Sequence, residues 1–141
     1  MFTRKGFTLI EILIVLVILA AIIGLALPKM TSMVEKARTG EALQALSAVK
    51  HAEEVYFNLK STYTTDMGIL GVEVPTSTTP NVDTKYHWYY SIDSASATAF
   101  QVTATRTSKS DATNKDKTIV MTFDNTNNDI TWSGTHPNKP E

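Results

Sequence analysis

The chain has 141 residues, 13 Lys/Arg against 14 Asp/Glu and no cysteine, which allows one domain and excludes disulfides and thiolate metal sites. The net charge of −1 hides an asymmetry: Arg4 and Lys5 stand at the N-terminus, whereas residues 29–141 hold 11 Lys/Arg against 13 Asp/Glu. A mildly acidic remainder gives no electrostatic reason to expect general nucleic-acid binding.

From Phe7 to Leu27 run 21 residues of which only Thr8 and Glu11 are polar. At about 1.5 Å per residue, such a helix has roughly the thickness of a bilayer core. Arg4 and Lys5 precede it, and that placement predicts a cytoplasmic N-terminus with the rest of the chain outside. A conventional secretory signal has a shorter apolar part and ends in a small-x-small cleavage site, but Ala20-Ala21 fall inside this run. The run holds 14 Leu/Ile/Val residues between Leu9 and Leu27. Leaving them in water would cost on the order of 20–40 kcal/mol, more than the whole stability of a domain. The helix therefore belongs in lipid or among like helices, and exchange between the two is nearly neutral in hydrophobic terms. Glu11 is the anomaly. A carboxylate inside a membrane helix costs on the order of 2.5–3.5 kcal/mol, less near the interface, and no basic residue lies within the run. Either headgroups solvate it or it has a partner outside its own helix.

Lys5-Gly6-Phe7-Thr8-Leu9-Ile10-Glu11 resembles the class III signal of type IV prepilins and of the pseudopilins of type II secretion systems. The resemblance covers seven consecutive positions and the apolar run behind them, about the first fifth of the chain. It implies that a prepilin peptidase cuts between Gly6 and Phe7 and N-methylates Phe7. Taking six residues off the 141 leaves a mature chain of 135. It also implies that Glu11 pairs with the Phe7 amine of a neighbouring subunit, and that an inner-membrane platform with a cytoplasmic ATPase drives assembly. The implied division is a leader over 1–6, a transmembrane and polymerisation helix over 7–28, and a stem continuation plus globular pilin head over 29–141.

Gly24 and Pro28 bracket the end of the apolar run. Proline removes the amide donor to the Gly24 carbonyl, so a kink or locally melted turn is expected there, with a simple tilt equally compatible. Beyond Pro28 apolar residues recur at Met30, Met33, Val34, Ala37, Ala42, Ala45, Leu46, Val49, Ala52, Val55, Tyr56 and Leu59, a helical spacing. Lys36, Arg38, Glu41, Lys50, Glu53 and Glu54 form the polar complement, and Lys50 can pair with Glu53 or Glu54. One helix is thus expected from Phe7 to about Leu59. Ser47-Ala48-Val49-Lys50 matches S-x-x-K, but it sits mid-helix without S-D-N or K-T-G and reads as chance.

Residues 60–85, rich in Thr, Ser, Gly and Pro, read as a long irregular connection. Four strands follow, over 85–92, 98–106, 117–124 and 129–133, alternating at Tyr86/Trp88/Tyr90/Ile92, Phe100/Val102/Ala104, Ile119/Met121/Phe123 and Ile130/Trp132. The expected fold is α+β: a long N-terminal helix packed by its C-terminal half on a four-stranded antiparallel sheet, which is also what the pilin resemblance implies. Tyr86, Trp88, Tyr89 and Tyr90 read as a core strand with one wet side rather than a sugar site or electron path. His51, His87 and His136 lack metal-ligand spacing and read as surface or partly buried. The run Asp124-Asn125-Thr126-Asn127-Asn128-Asp129 offers calcium-type oxygens, but Asp129 takes the EF-hand glycine position and Thr135 the bidentate one. An ordinary hairpin turn is the better reading, with no cofactor expected. Without cysteines, how residues 134–141 are fastened is open.

The reading in best accord with these features is a structural, non-enzymatic subunit polymerising through its N-terminal helix into a type IV pilus-like surface filament. It would begin as a single-pass precursor in the inner membrane and end in an extracellular homo-oligomer. The runner-up is a pseudopilin forming a periplasmic pseudopilus. A membrane-anchored enzyme finds no nucleophile–base pair, metal constellation or phosphate loop to support it.

Overall fold

One α-helix, α1, runs from Leu9 to Lys60 in a computed structural model that describes residues 6–109 and 113–141. It starts two residues later than Phe7 and ends where expected. Ser61 terminates it by turning into the left-handed region at φ 58 while its N–H still donates to Phe57 O at 2.7 Å, a common helix ending. Helical backbone continues unbroken through Gly24 and Pro28, so the melted turn is not what the single chain adopts. Its continuous apolar and helix-forming run outweighs the one hydrogen bond that proline removes. Two compact units divide between Ala37 and Arg38, so α1 supplies residues to both.

In the second unit, residues 38–141, four strands form one antiparallel sheet in the order β1-β2-β3-β4. They are β1 Trp88–Ala95, β2 Ala99–Arg106, β3 Thr118–Asp124 and β4 Asp129–Ser133. The expected α+β class and meander are what the chain forms. β1 begins later than expected because Val82–Lys85 makes a single helical turn, α2, out of residues read as irregular or strand. It then runs on past Ile92 because a bulge between Ile92 and Ser94 shifts the register. The bulged Asp93 accepts hydrogen bonds from Ser91 Oγ at 2.8 Å and from Thr103 Oγ1, which satisfies the irregularity locally. The outer edge of β1 is covered: Tyr90 N–H donates to Pro75 O at 2.8 Å, a device that blunts an edge against foreign strands.

Alternate strand residues Trp88, Tyr90, Phe100, Val102, Ala104, Ile119, Met121 and Phe123 are buried with Ala42, Leu46 and Val49 of α1 in one core. The period of two on the sheet and of three-to-four on the helix is what brings these faces together. Trp88 also locks helix to sheet chemically, donating from Nε1 to Arg38 O at 2.8 Å. The helix stripe differs from the expected one. Val55 and Leu59 are exposed, and from Arg38 onward the buried positions are Thr39, Ala42, Leu46, Val49 and Glu53. Glu53, read from its charge as part of the solvated face, lies on the core face, and Lys50 pairs with Glu54 alone. His136 is likewise buried rather than superficial, at 1% exposure.

That histidine answers how the C-terminal segment is held. Gly134 has φ +112, and a Cβ there would meet Thr118 O at 2.3 Å, so only glycine lets the chain pass β3 this closely. Thr118 N–H then donates to Thr135 Oγ1 at 3.1 Å, His136 N–H donates to Thr118 O at 2.9 Å, and the His136 ring packs edgewise on Trp88 at 5.2 Å. Backbone pairing and one buried ring replace the missing disulfide.

Candidate functional site

The residues expected to serve processing and assembly lie at or just before the start of α1. Arg4 and Lys5 fall outside the described residues. Gly6 and Phe7 precede the first helical residue in non-helical backbone, and both are exposed, Phe7 at 77%. A Cβ added at Gly6 would meet nothing within 4 Å, and Gly6 is not among the positive-φ glycines. Neither backbone strain nor packing within the described chain therefore calls for glycine at this position.

Thr8 and Glu11 form a reciprocal pair at the helix start. Glu11 Oε2 accepts from Thr8 N–H at 3.2 Å and from Thr8 Oγ1 at 3.2 Å, while Glu11 N–H donates to Thr8 Oγ1 at 3.3 Å. This is a capping box, which satisfies backbone donors that every helix N-terminus leaves unpaired. A carboxylate in the first turn also suits the helix dipole. Glu11 thus has a partner within its own helix, which charge and hydropathy did not suggest. The signal is nevertheless readable in Thr8-Leu9-Ile10-Glu11, a Thr-x-x-Glu pattern before an apolar run. All of these carboxylate contacts use Oε2, and Oε1 has no partner among the described residues. The box lies wholly downstream of the Gly6–Phe7 bond.

Behind it, every large apolar side chain described from Phe7 to Val34 is 48–85% exposed in the single chain. The stretch is long and apolar enough to cross a membrane by length and composition. Gly24 sits mid-helix with nothing within 4 Å of an added Cβ. Glycine inside a helix costs about 1 kcal/mol relative to alanine, and nothing in the described chain offsets that cost.

Elsewhere, Asp124 and Asp129 flank the hairpin turn, each accepting a turn or strand N–H through Oδ1, from Thr126 at 2.8 Å and Ile130 at 2.9 Å. Among the described residues no three His, Cys, Asp or Glu side chains gather as metal ligands. The S-x-x-K lysine is occupied: Lys50 pairs with Glu54 and lies 4.5 Å over the Phe123 ring. His87 sits beside Arg38, Lys109 and Arg106, and burial first, then these cations, hold its pKa below the usual histidine value.

A Gly–Phe junction before a capped, membrane-length helix, followed by a helix-on-sheet head, is the pilin-like α+β arrangement. Known proteins agree. Residues 1–27 match the family described as the prokaryotic N-terminal methylation motif. Residues 28–118 match the family described as type IV minor pilin ComP, DNA uptake sequence receptor. The chain belongs to the type IV pilin and pseudopilin family. It is also 35% identical over 77 residues to the type II secretion system core protein G of Dickeya chrysanthemi, covering 55% of this chain. That stretch spans 50% of the relative's length.

Proposed function

We propose that this protein is a structural, non-catalytic subunit that polymerises through α1 into a type IV pilus-like surface filament. Before assembly it is a single-pass protein held in lipid by the same helix, with its head outside the cytoplasm. The observation that carries this reading is the outward apolar surface of α1 from Phe7 to Val34, which has only two stable surroundings, lipid or copies of itself. The glycine at position 6, unexplained by the chain's own geometry, fits recognition by a prepilin peptidase. Cleavage there frees the Phe7 amine for N-methylation and leaves the Thr8–Glu11 box intact. Glu11 then serves twice: Oε2 caps its own helix, and Oε1 is available to the Phe7 amine of the adjoining subunit, setting axial register. Packing and that ion pair favour assembly, and an ATPase-driven platform supplies the work of extraction from lipid.

The likeness to a type II secretion core protein favours a second reading, a pseudopilin in a short periplasmic pseudopilus. The receptor role named in the matched family's description is said of that family and is not carried over to this chain. Density maps of fibres sheared from cells test the main reading. Long fibres built from this chain are expected, and a chain confined to the periplasm would transfer support to the pseudopilin.

A further inference from the structure

The second unit is charged oppositely at its two ends. One end lies where β1 starts and β2 stops. There Trp88 Nε1 donates to Arg38 O, Thr107 N–H to His87 O, Asp116 N–H to Arg106 O and His136 N–H to Thr118 O. These contacts gather Lys85, Lys109, Lys115, Lys117 and Lys139 at that end, the first three of them exposed. No ion pair among the described residues neutralises any of the five. The Lys109 ammonium donates to Lys85 O and the Lys85 ammonium lies 5.2 Å over the Tyr86 ring, contacts that hold the charges in place without cancelling them. The described acids at this end, Glu41, Asp83, Asp116 and Glu141, are outnumbered by these lysines together with Arg38 and Arg106.

The other end lies where α1 stops and the β1–β2 and β3–β4 turns meet. Asn125 N–H donates to Thr98 O, Tyr63 N–H donates to Ser96 O, and the Tyr63 ring meets Phe123 edgewise at 6.2 Å. Asp66, Asp124 and Asp129 stand here. Each accepts a local backbone N–H, from Gly68, Thr126 and Ile130, which fixes the carboxylate and leaves its charge. Lys50 is paired with Glu54, so among the described residues Lys60 faces these three aspartates.

The polarity selects the partner. Every copy inserts with its N-terminus on the cytoplasmic side, and the chain enters the second unit at Arg38, on the basic end. Copies assembled through α1 therefore all point one way, and a repeated contact between them is head-to-tail. Such a contact turns the basic end of one copy toward the acidic end of another. It never joins like ends, where the charges would repel. We propose that Lys85, Lys109 and Lys115 of one copy dock on Asp66, Asp124 and Asp129 of a copy further along the assembly. The inference rests on the reading that copies assemble through α1, and it holds for a pilus and a pseudopilus alike.

A carbodiimide joins an amine to a carboxylate where the two touch, without a spacer. The eight residues of β2 keep the two ends about 25 Å apart at roughly 3.3 Å per residue. A Lys109–Asp129 or Lys115–Asp66 link therefore forms only between copies. Assemblies from cells making the full chain are treated, digested and searched for such links by mass spectrometry, and the links are expected. In a second arm, Lys109→Glu with Lys115→Glu, and Asp66→Lys with Asp129→Lys, should each lower the yield of assemblies about fivefold, the effect of an exposed ion pair at its stronger end. All four substitutions together should restore the yield, with head melting followed to show that every variant folds. Absence of links in assemblies that do form overturns this contact and leaves assembly through α1 standing, as does parental yield from either pair of reversals in a folded head. Absence of any assembly in cells making the parent chain overturns both.

Discussion

The two units of this chain use hydrophobic residues in opposite ways. Up to Ala37, leucines, isoleucines and valines point outward on every side of α1, and nothing among the described residues covers them. From Arg38 onward the same helix carries one buried line, Thr39, Ala42, Leu46, Val49 and Glu53, and leaves its other faces wet. An all-round apolar helix needs an apolar solvent, whereas a one-sided helix makes its own by folding onto a sheet. The first unit is therefore complete only in lipid or in an assembly. The second carries its own core, with thirteen buried hydrophobic side chains in a single cluster.

Substitutions can separate the two regions. The largest effect belongs to Glu11→Gln, which keeps an oxygen for capping but removes the charge. Fibre yield measured by shearing should collapse while membrane insertion and head melting stay unchanged, and normal fibres would sink the registry role. Trp88→Ala does the reverse. It removes a buried indole and its bond to Arg38 O, costs the second unit about 3–5 kcal/mol in denaturant titration, and leaves insertion intact. Gly134→Ala comes next, because the added Cβ overlaps the Thr118 carbonyl. It should destabilise the head by roughly 1–3 kcal/mol from strain, with loss of amide-exchange protection at His136. Thr8→Ala removes the helix cap for about 1 kcal/mol. Fibres should still form, since the Glu11 carboxylate survives.

The smallest effect concerns Glu53, 0% exposed, whose Oε1 is a buried atom without a partner among the described residues and whose Oε2 accepts from Thr64 N–H at 3.1 Å. Burial raises its pKa, against the lowering effect of that N–H. The folded head thus holds this proton longer than the unfolded chain does, so the unfolded state binds fewer protons above the ordinary glutamate value. Stability from this group is fully present below that value and declines as pH rises toward the raised one. Glu53→Gln should therefore raise the melting temperature at pH 7.5 and change it little at pH 4. An equal shift at both values would show that burial of the charge is not the cause.

How much of the fold and of the processing site is legible in the sequence depends on how local each signal is. The Gly6–Phe7 junction, the membrane-length run and the strand alternations around Val102 and Met121 are carried by neighbouring residues, and all of them can be read directly. The placement of Glu53 cannot, because its charge suggests solvent while its position in the helical repeat demands the core, and only the facing sheet settles which helical face is covered. The cap at Thr8 is as local as the junction, yet the rarity of a membrane acid at Glu11 draws the explanation outward, away from its own helix.

Composition and spacing are enough to establish that this chain carries a lipid-compatible helix and a meander to lay it on, because hydrophobic period and length are properties of short stretches. Contacts between residues far apart in the chain settle the rest: the Gly134 crossing of Thr118, the Trp88–His136 closure of the C-terminal segment and the packing of Tyr63 on Phe100. Each depends on distances that close only once the helix and sheet share a core.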